Sequence, residues 1–194
     1  MPITLVEGDI VLTRGTTWFA RAIRFFERKS HEAPSWANHA MLAARDHKDG
    51  QLKLASMEPV FCKWRTLDDF PKYKVYRIHK LTFPDGRQVE LTAVHRALLG
   101  TEAAQYVGRF YGMSKIALHL IGLKSWCKID SFPICSFATS RPWTKVFDWQ
   151  QWPIRRQGGS IEWVSANAVD PDDLDDSLKT MMSLYPGTIE RVTS

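Results

Sequence analysis

Asn38-His39-Ala40-Met41-Leu42-Ala43-Ala44 is the stretch whose reading decides the fold. Everything after His39 in it is apolar, which predicts a strand covered on both faces, near the middle of a sheet. The polar run Arg45 to Gly50 predicts a hairpin-like turn, and Leu52 to Met57 alternates as the partner strand. If Ala44 lies near Leu52, His39 falls opposite residue 57 or 58. Lys72 to His79 alternates strictly, with Tyr73, Val75, Arg77 and His79 on one side and Tyr76 and Ile78 on the other. Ile3 to Val6 and Ile10 to Thr13 predict two short strands around Gly8-Asp9.

Helical periodicity marks the remaining segments. Residues 17–28 place Trp18, Ala22, Ile23 and Phe26 on one face, with Arg21, Arg24 and Arg28 off it. Residues 88–99 and 101–110 predict two helices separated at Gly100-Thr101. A short helix over 134–140 stops before Arg141-Pro142, and residues 114–127 are apolar without a clear period. The Trp-rich segment 143–160 predicts an extended loop that shapes substrate access, followed by a strand from Ile161 to Val164. Asp170-Pro171-Asp172-Asp173 predicts a helix start with acidic residues favouring its dipole, running to about Leu184. No repeat, low-complexity tract or linker interrupts the chain. The expectation is one α+β domain over 1–194 with a small antiparallel sheet.

Composition narrows the function class. The chain has 194 residues and is 44% hydrophobic, enough for a substantial core. No apolar run reaches the ~20 residues of a membrane span. The first residues lack the basic start and apolar middle of a signal peptide, which predicts a cytoplasmic protein unless a phage or an injection route delivers it. Cys62, Cys127 and Cys135 are an odd set without a C-x-x-C pair, which argues against a disulfide framework or a zinc knuckle. Net charge is +5 but the basic residues are dispersed, so no nucleic-acid partner is expected.

Two features carry chemistry. Phe132-Pro133-Ile134-Cys135-Ser136 puts a thiol at the start of a predicted helix, where the dipole and free N–H groups favour a thiolate. Alone, Cys135 reads as a small buried hydrophobe, since free cysteine is among the most buried residue types. A nucleophilic cysteine needs a base, usually histidine. His31 and His47 lie in polar loops, His95 and His119 in helical regions, and His79 ends a strand. His39 stands out as a strongly polar side chain at the mouth of an apolar strand, where it needs a partner. Glu58 follows the alternating strand and lies in hairpin register with His39, so its carboxylate can accept the ring N–H and set the tautomer.

Gly8-Asp9-Ile10-Val11-Leu12, Asn38-His39-Ala40-Met41, Met57-Glu58-Pro59, Ile134-Cys135-Ser136 and Asp170-Pro171-Asp172-Asp173-Leu174 together resemble the circularly permuted branch of the NlpC/P60 superfamily. That branch comprises YiiX/YaeF-like, permuted papain-fold cysteine peptidases and amidases, with relatives of lecithin retinol acyltransferase. Its chain order is histidine, polar residue, cysteine, as here. The resemblance implies Cys135 as nucleophile, His39 as base and Glu58 as the orienting third member. It also implies the Cys135 N–H as an oxyanion donor and no cofactor. Tyr106 or Tyr111 could fill the place of a tyrosine common near the site. Asn38 departs from the pattern, since relatives carry a small residue, a hydroxyl residue or tyrosine before the histidine.

The implied reaction is acyl transfer from an amide to Cys135 and then to water. The substrate would be a peptide, such as a bacterial cell-wall stem peptide, or an N-acyl amide. An acyltransferase of the same fold, with helix 17–28 approaching lipid, and a non-catalytic binding module are the alternatives.

Overall fold

The computed structural model describes residues 3–15, 36–58, 61–110, 135–156, 158–167 and 169–192. The expected helix over 17–28, the apolar stretch 114–127, Tyr111, Cys127, His31 and His119 lie outside them.

The chain order is β1 (Ile10–Thr13), β2 (His39–Arg45), β3 (Leu52–Met57), β4 (Cys62–Arg65), β5 (Tyr73–Ile78), β6 (Lys80–Thr82), β7 (Gln88–Glu90), α1 (Ala93–Ala104), α2 (Cys135–Phe147), β8 (Gln151–Arg155), β9 (Ile161–Ser165), α3 (Pro171–Leu184) and β10 (Ile189–Val192). Six strands form one antiparallel sheet in the order β10-β5-β1-β2-β3-β4. The strands β6 and β7, and β8 and β9, form two separate hairpins. Among the described residues the architecture is therefore α+β, with a mainly antiparallel sheet and three α-helices.

The apolar run after His39 is explained by burial on both sides. Ala40, Leu42 and Ala44 join Ile10, Leu12, Tyr76 and Ile78 in the larger core, which the three helices cover. Met41 and Ala43 join Val11, Leu54 and Val75 in a smaller cluster on the opposite face. The hairpin pairs Arg45 with Leu52 and Met41 with Ser56, one residue away from the simplest expectation. Its loop closes through the Asp46 N–H to the Gln51 carbonyl at 2.9 Å and the Gly50 N–H to the Asp46 carbonyl at 2.8 Å. Gly50 takes the positive φ (69°) that this tight return needs.

Several elements differ from the sequence expectations. Residues 3–6 do not pair as a strand; the Asp9 carboxylate accepts the Val6 N–H and ties that segment into a turn. One helix, α1, replaces the two expected around Gly100. Gly100 lies inside it, with the flexible end of the Glu7 side chain packed where a Cβ would sit, 2.8 Å away. The helix α2 runs through Pro142 to Phe147. Proline costs the helix one hydrogen bond, but Trp143 and Phe147 extend the buried face beyond it and stack at 5.8 Å. The Trp-rich segment is core rather than loop: Trp143, Trp149 and Trp152 are among the largest fully buried side chains, in edge-on contact at 5.9 and 6.3 Å. The helix α3 starts as expected, with the Asp170 carboxylate accepting the Asp173 N–H at 2.7 Å and Pro171 in the first turn.

Candidate active site

His39 is the first residue of β2, and the residue before it fixes how the strand enters the sheet. The buried Asn38 accepts the Gly15 N–H on its side-chain oxygen at 2.7 Å, and its own N–H donates to the Thr13 carbonyl at 3.1 Å. Asn38 is thus an anchor for the strand entrance.

The His39 ring lies beside a buried hydroxyl. Nε2 is 2.9 Å from Ser56 Oγ, and Ser56 is fully buried. The Ser56 hydroxyl in turn donates to Glu58 Oε1 at 3.5 Å. Ser56 and Glu58 share a face because they are two residues apart on an extended segment. The register that pairs Met41 with Ser56 continues to His39 opposite Glu58. The carboxylate is therefore close to the histidine, but Ser56 stands between them. If the hydroxyl proton goes to Glu58, Nε2 carries the ring proton and donates to Ser56 Oγ. Nδ1, which makes no hydrogen bond among the described residues, is then the basic nitrogen.

Two cations hold Glu58. Arg65 donates Nε to Oε1 at 2.5 Å and Nη2 to Oε2 at 3.1 Å, and Lys63 Nζ lies 2.7 Å from Oε2. Burial alone would raise the Glu58 carboxyl, but the Arg65 and Lys63 hydrogen bonds outweigh it and hold it below its usual value. The β3-β4 pairing supplies both cations.

Burial lowers the His39 imidazole from 6.5 to about 4; the Glu58 carboxylate pulls it upward and the Arg65 guanidinium pushes it down. At neutral pH the ring is uncharged, the form a general base needs. The stability consequence has a definite sign. Between about 4 and 6.5 the unfolded chain binds more protons at this residue than the folded one. His39 therefore adds stability as pH rises through that window and withdraws it on acidification, by at most about 3 kcal/mol. A proton-NMR titration of the His39 ring is expected to give a midpoint near 4; one at the ordinary histidine value would contradict this burial.

Cys135 is the first residue of α2, buried at 5% exposure. Thr139 Oγ1 donates back to the Cys135 carbonyl at 2.9 Å, and Ser140 Oγ donates to the Ala166 carbonyl at 2.7 Å, fixing this turn of helix against the β8-β9 hairpin. Ser136 Oγ is buried beside the cysteine and has no hydrogen-bond partner among the described residues. A chain of contacts locates this end of α2. Phe137 meets Tyr106 edge-on at 6.4 Å. The segment after Tyr106 pairs with Cys62, through Gly108 N–H to the Cys62 carbonyl and Cys62 N–H to the Arg109 carbonyl, both 2.8 Å. Cys62 pairs with Met57, the neighbour of Glu58. The cysteine end of α2 thus lies at the same end of the sheet as His39. The pleat sets His39 in phase with Met41 and Ala43, whereas Cys135 packs in the larger core. Proton transfer between thiol and imidazole therefore requires the His39 ring, on the first residue of β2, to reach past the strand entrance.

Ser56 was not among the sequence candidates. Its signal was present: a hydroxyl two residues before Glu58 on the same strand face. Tyr106 is buried in the larger core near Phe137. Cys62 is buried too; burial, with a smaller push from Glu58, raises its thiol to about 12, which makes it inert.

No helix among the described residues is long and apolar enough to cross a membrane. Among them no group of three or more His, Cys, Asp or Glu side chains is placed to hold a metal ion. Neither a family model nor a curated protein matches the sequence. The fold does have a solved counterpart. The crystal structure of the metalloprotein YiiX from Escherichia coli O157:H7 superposes with a TM-score of 0.54 at 17% identity, over 97% of each chain. The chain shares the YiiX-type fold.

Proposed function

We propose that the protein is a cysteine hydrolase of the permuted papain-like type, cleaving an amide bond through an acyl-enzyme on Cys135. The observation that carries this reading is the state of His39. Its Nε2 is tied to Ser56, its Nδ1 makes no hydrogen bond among the described residues, and burial keeps it neutral near pH 7. A neutral imidazole with one nitrogen anchored is a base with one nitrogen to offer.

In the proposed reaction Cys135 Sγ attacks the amide carbonyl carbon as His39 Nδ1 takes the thiol proton. The Cys135 N–H, at the positive end of α2, stabilises the oxyanion. Collapse breaks the C–N bond, and His39 returns the proton to the departing amine. Water, deprotonated by His39, then cleaves the thioester. Glu58 acts on the histidine through Ser56 and through its charge, which favours the imidazolium.

YiiX is described as a metalloprotein, but the donors here do not suit a cation. Both Glu58 oxygens are engaged by Arg65 and Lys63, whose positive charges would repel a metal ion. The acyltransferase alternative leans on helix 17–28, outside the described residues.

The test is intact-protein mass spectrometry after incubation with cell-wall stem-peptide fragments and, separately, with N-acyl amides. One acyl adduct on Cys135, absent from Cys135→Ala, is expected with one of the two classes. Adducts that persist in Cys135→Ala would overturn the reading.

A further inference from the structure

A cleft of about 410 Å³ opens where β5 and β10 end, lined by Trp36, Lys72, Tyr73, Lys74 and Arg191, with Ile3, Pro71 and Val192 completing the wall. Three of these side chains are cationic and two are aromatic. Only one of the three cations, Lys74, has a carboxylate partner among the described residues. Lys74 Nζ lies 2.7 Å from the fully buried Asp175 carboxylate and 3.9 Å from the centre of the Trp36 ring. That same carboxylate also takes Lys179 Nζ at 2.8 Å and the Tyr76 hydroxyl at 2.7 Å. Lys179 also reaches Asp176 Oδ1 at 3.0 Å, so two carboxylates serve the two lysines and the pairing on this side is complete. Lys72 and Arg191 form no ion pair among the described residues, and both are exposed. Burial lowers the Lys74 ammonium and Arg191 is near enough to push it the same way, so Arg191 belongs to the same local cluster.

We infer that this cleft binds an organic oxyanion, a phosphate or carboxylate carried on a flat apolar body. Lys72 and Arg191 meet the oxyanion, Arg191 through its planar fork. Trp36 and Tyr73 take the flat body, leaving Lys74 to hold the Trp36 ring in place. The inference goes beyond the catalytic reading and does not depend on it. Its place in the fold is near the histidine: Tyr73 pairs with Thr13, and Thr13 pairs with His39. The cleft thus lies two strands from the histidine, roughly 10 Å at the usual interstrand spacing.

Isothermal titration calorimetry with phenyl phosphate, benzoate, inorganic phosphate and phenol tests this. Saturable one-to-one binding of phenyl phosphate or benzoate is expected, with inorganic phosphate and phenol each weaker by about tenfold or more. The double variant Lys72→Glu/Arg191→Glu should weaken binding by about 10- to 100-fold, the loss of a charge-assisted hydrogen bond or two. Its circular dichroism and melting curve should match the wild type, since both side chains are exposed. Cys135→Ala should bind unchanged, which separates this site from the catalytic one. No saturable binding, equal affinity for phenol, or an unaffected double variant would overturn the inference.

Discussion

His39→Ala is expected to slow acylation of Cys135 by a p-nitrophenyl ester about 10²–10⁴-fold at neutral pH, the range a positioned general base supplies. The loss should appear in the rate and not in the fold, because His39 opens a strand whose register is held by Asn38 before it and by Met41 to Arg45 after it. Ser56→Ala separates the base from its anchor. Nε2 then loses its 2.9 Å partner and Glu58 is left to its cations. The ring keeps its basicity but not its orientation, so the expected cost is smaller, about 10- to 100-fold. Glu58→Gln keeps the shape and removes the charge that raises the His39 pKa, so the histidine titration should move further down. Equal acylation rates in wild type and His39→Ala, measured by release of p-nitrophenolate, would remove the histidine from the mechanism.

Asp175→Ala should give the largest loss of stability. The carboxylate is fully buried in α3 and gathers Lys74, Lys179 and the Tyr76 hydroxyl. Burial by itself would raise its pKa; the hydrogen bonds from Lys179, Lys74 and Tyr76 prevail and hold it below the usual value. Removing it leaves the nearly buried Lys74 ammonium and a buried phenol without their acceptor. Breaking such a group from one side costs about 3–5 kcal/mol, or about 10 °C in melting temperature for a chain of this size. Asp175→Asn keeps an acceptor and should cost less. The folded carboxylate pKa is depressed, so its contribution is present above the unfolded value and disappears as pH falls through the folded one. Thermal melts of the two variants at pH 7 check the order; an Asp175→Ala variant as stable as the wild type would contradict the buried pairing.

The sheet and the candidate site were legible in the sequence to different depths. The strand after His39 announced its burial on both faces by being apolar throughout, and the alternation over Tyr73 to Ile78 separated the two clusters correctly. Hairpin length alone brought Glu58 opposite His39 to within one residue. Asp170-Pro171 marked the start of α3 because capping is a local interaction. What the sequence hid depends on neighbours far along the chain. Gly100 looks like a helix break until Glu7 is seen pressed against it. Pro142 looks like a stop until Trp143 and Phe147 are found packed beyond it. Composition left the tryptophans open between a lined groove and a filled core, and Trp143, Trp149 and Trp152 fill the core. Ser56 between histidine and glutamate, and the clamp of Arg65 and Lys63 on that glutamate, follow from the β3-β4 pairing. The strand β4, Cys-Lys-Trp-Arg, is too short to declare itself by periodicity.

The central claim is that Cys135 is an activated thiol. Its most direct test is the rate of iodoacetamide alkylation of Cys135 and Cys62 in the native protein, followed site by site by peptide mass spectrometry. With its pKa at about 12, Cys62 exposes a thiolate fraction of only about 10⁻⁴ at pH 8. Cys135 is expected to be alkylated at least about 100-fold faster than Cys62, and His39→Ala to remove much of that advantage. Equal rates at the two cysteines in the folded protein would contradict it.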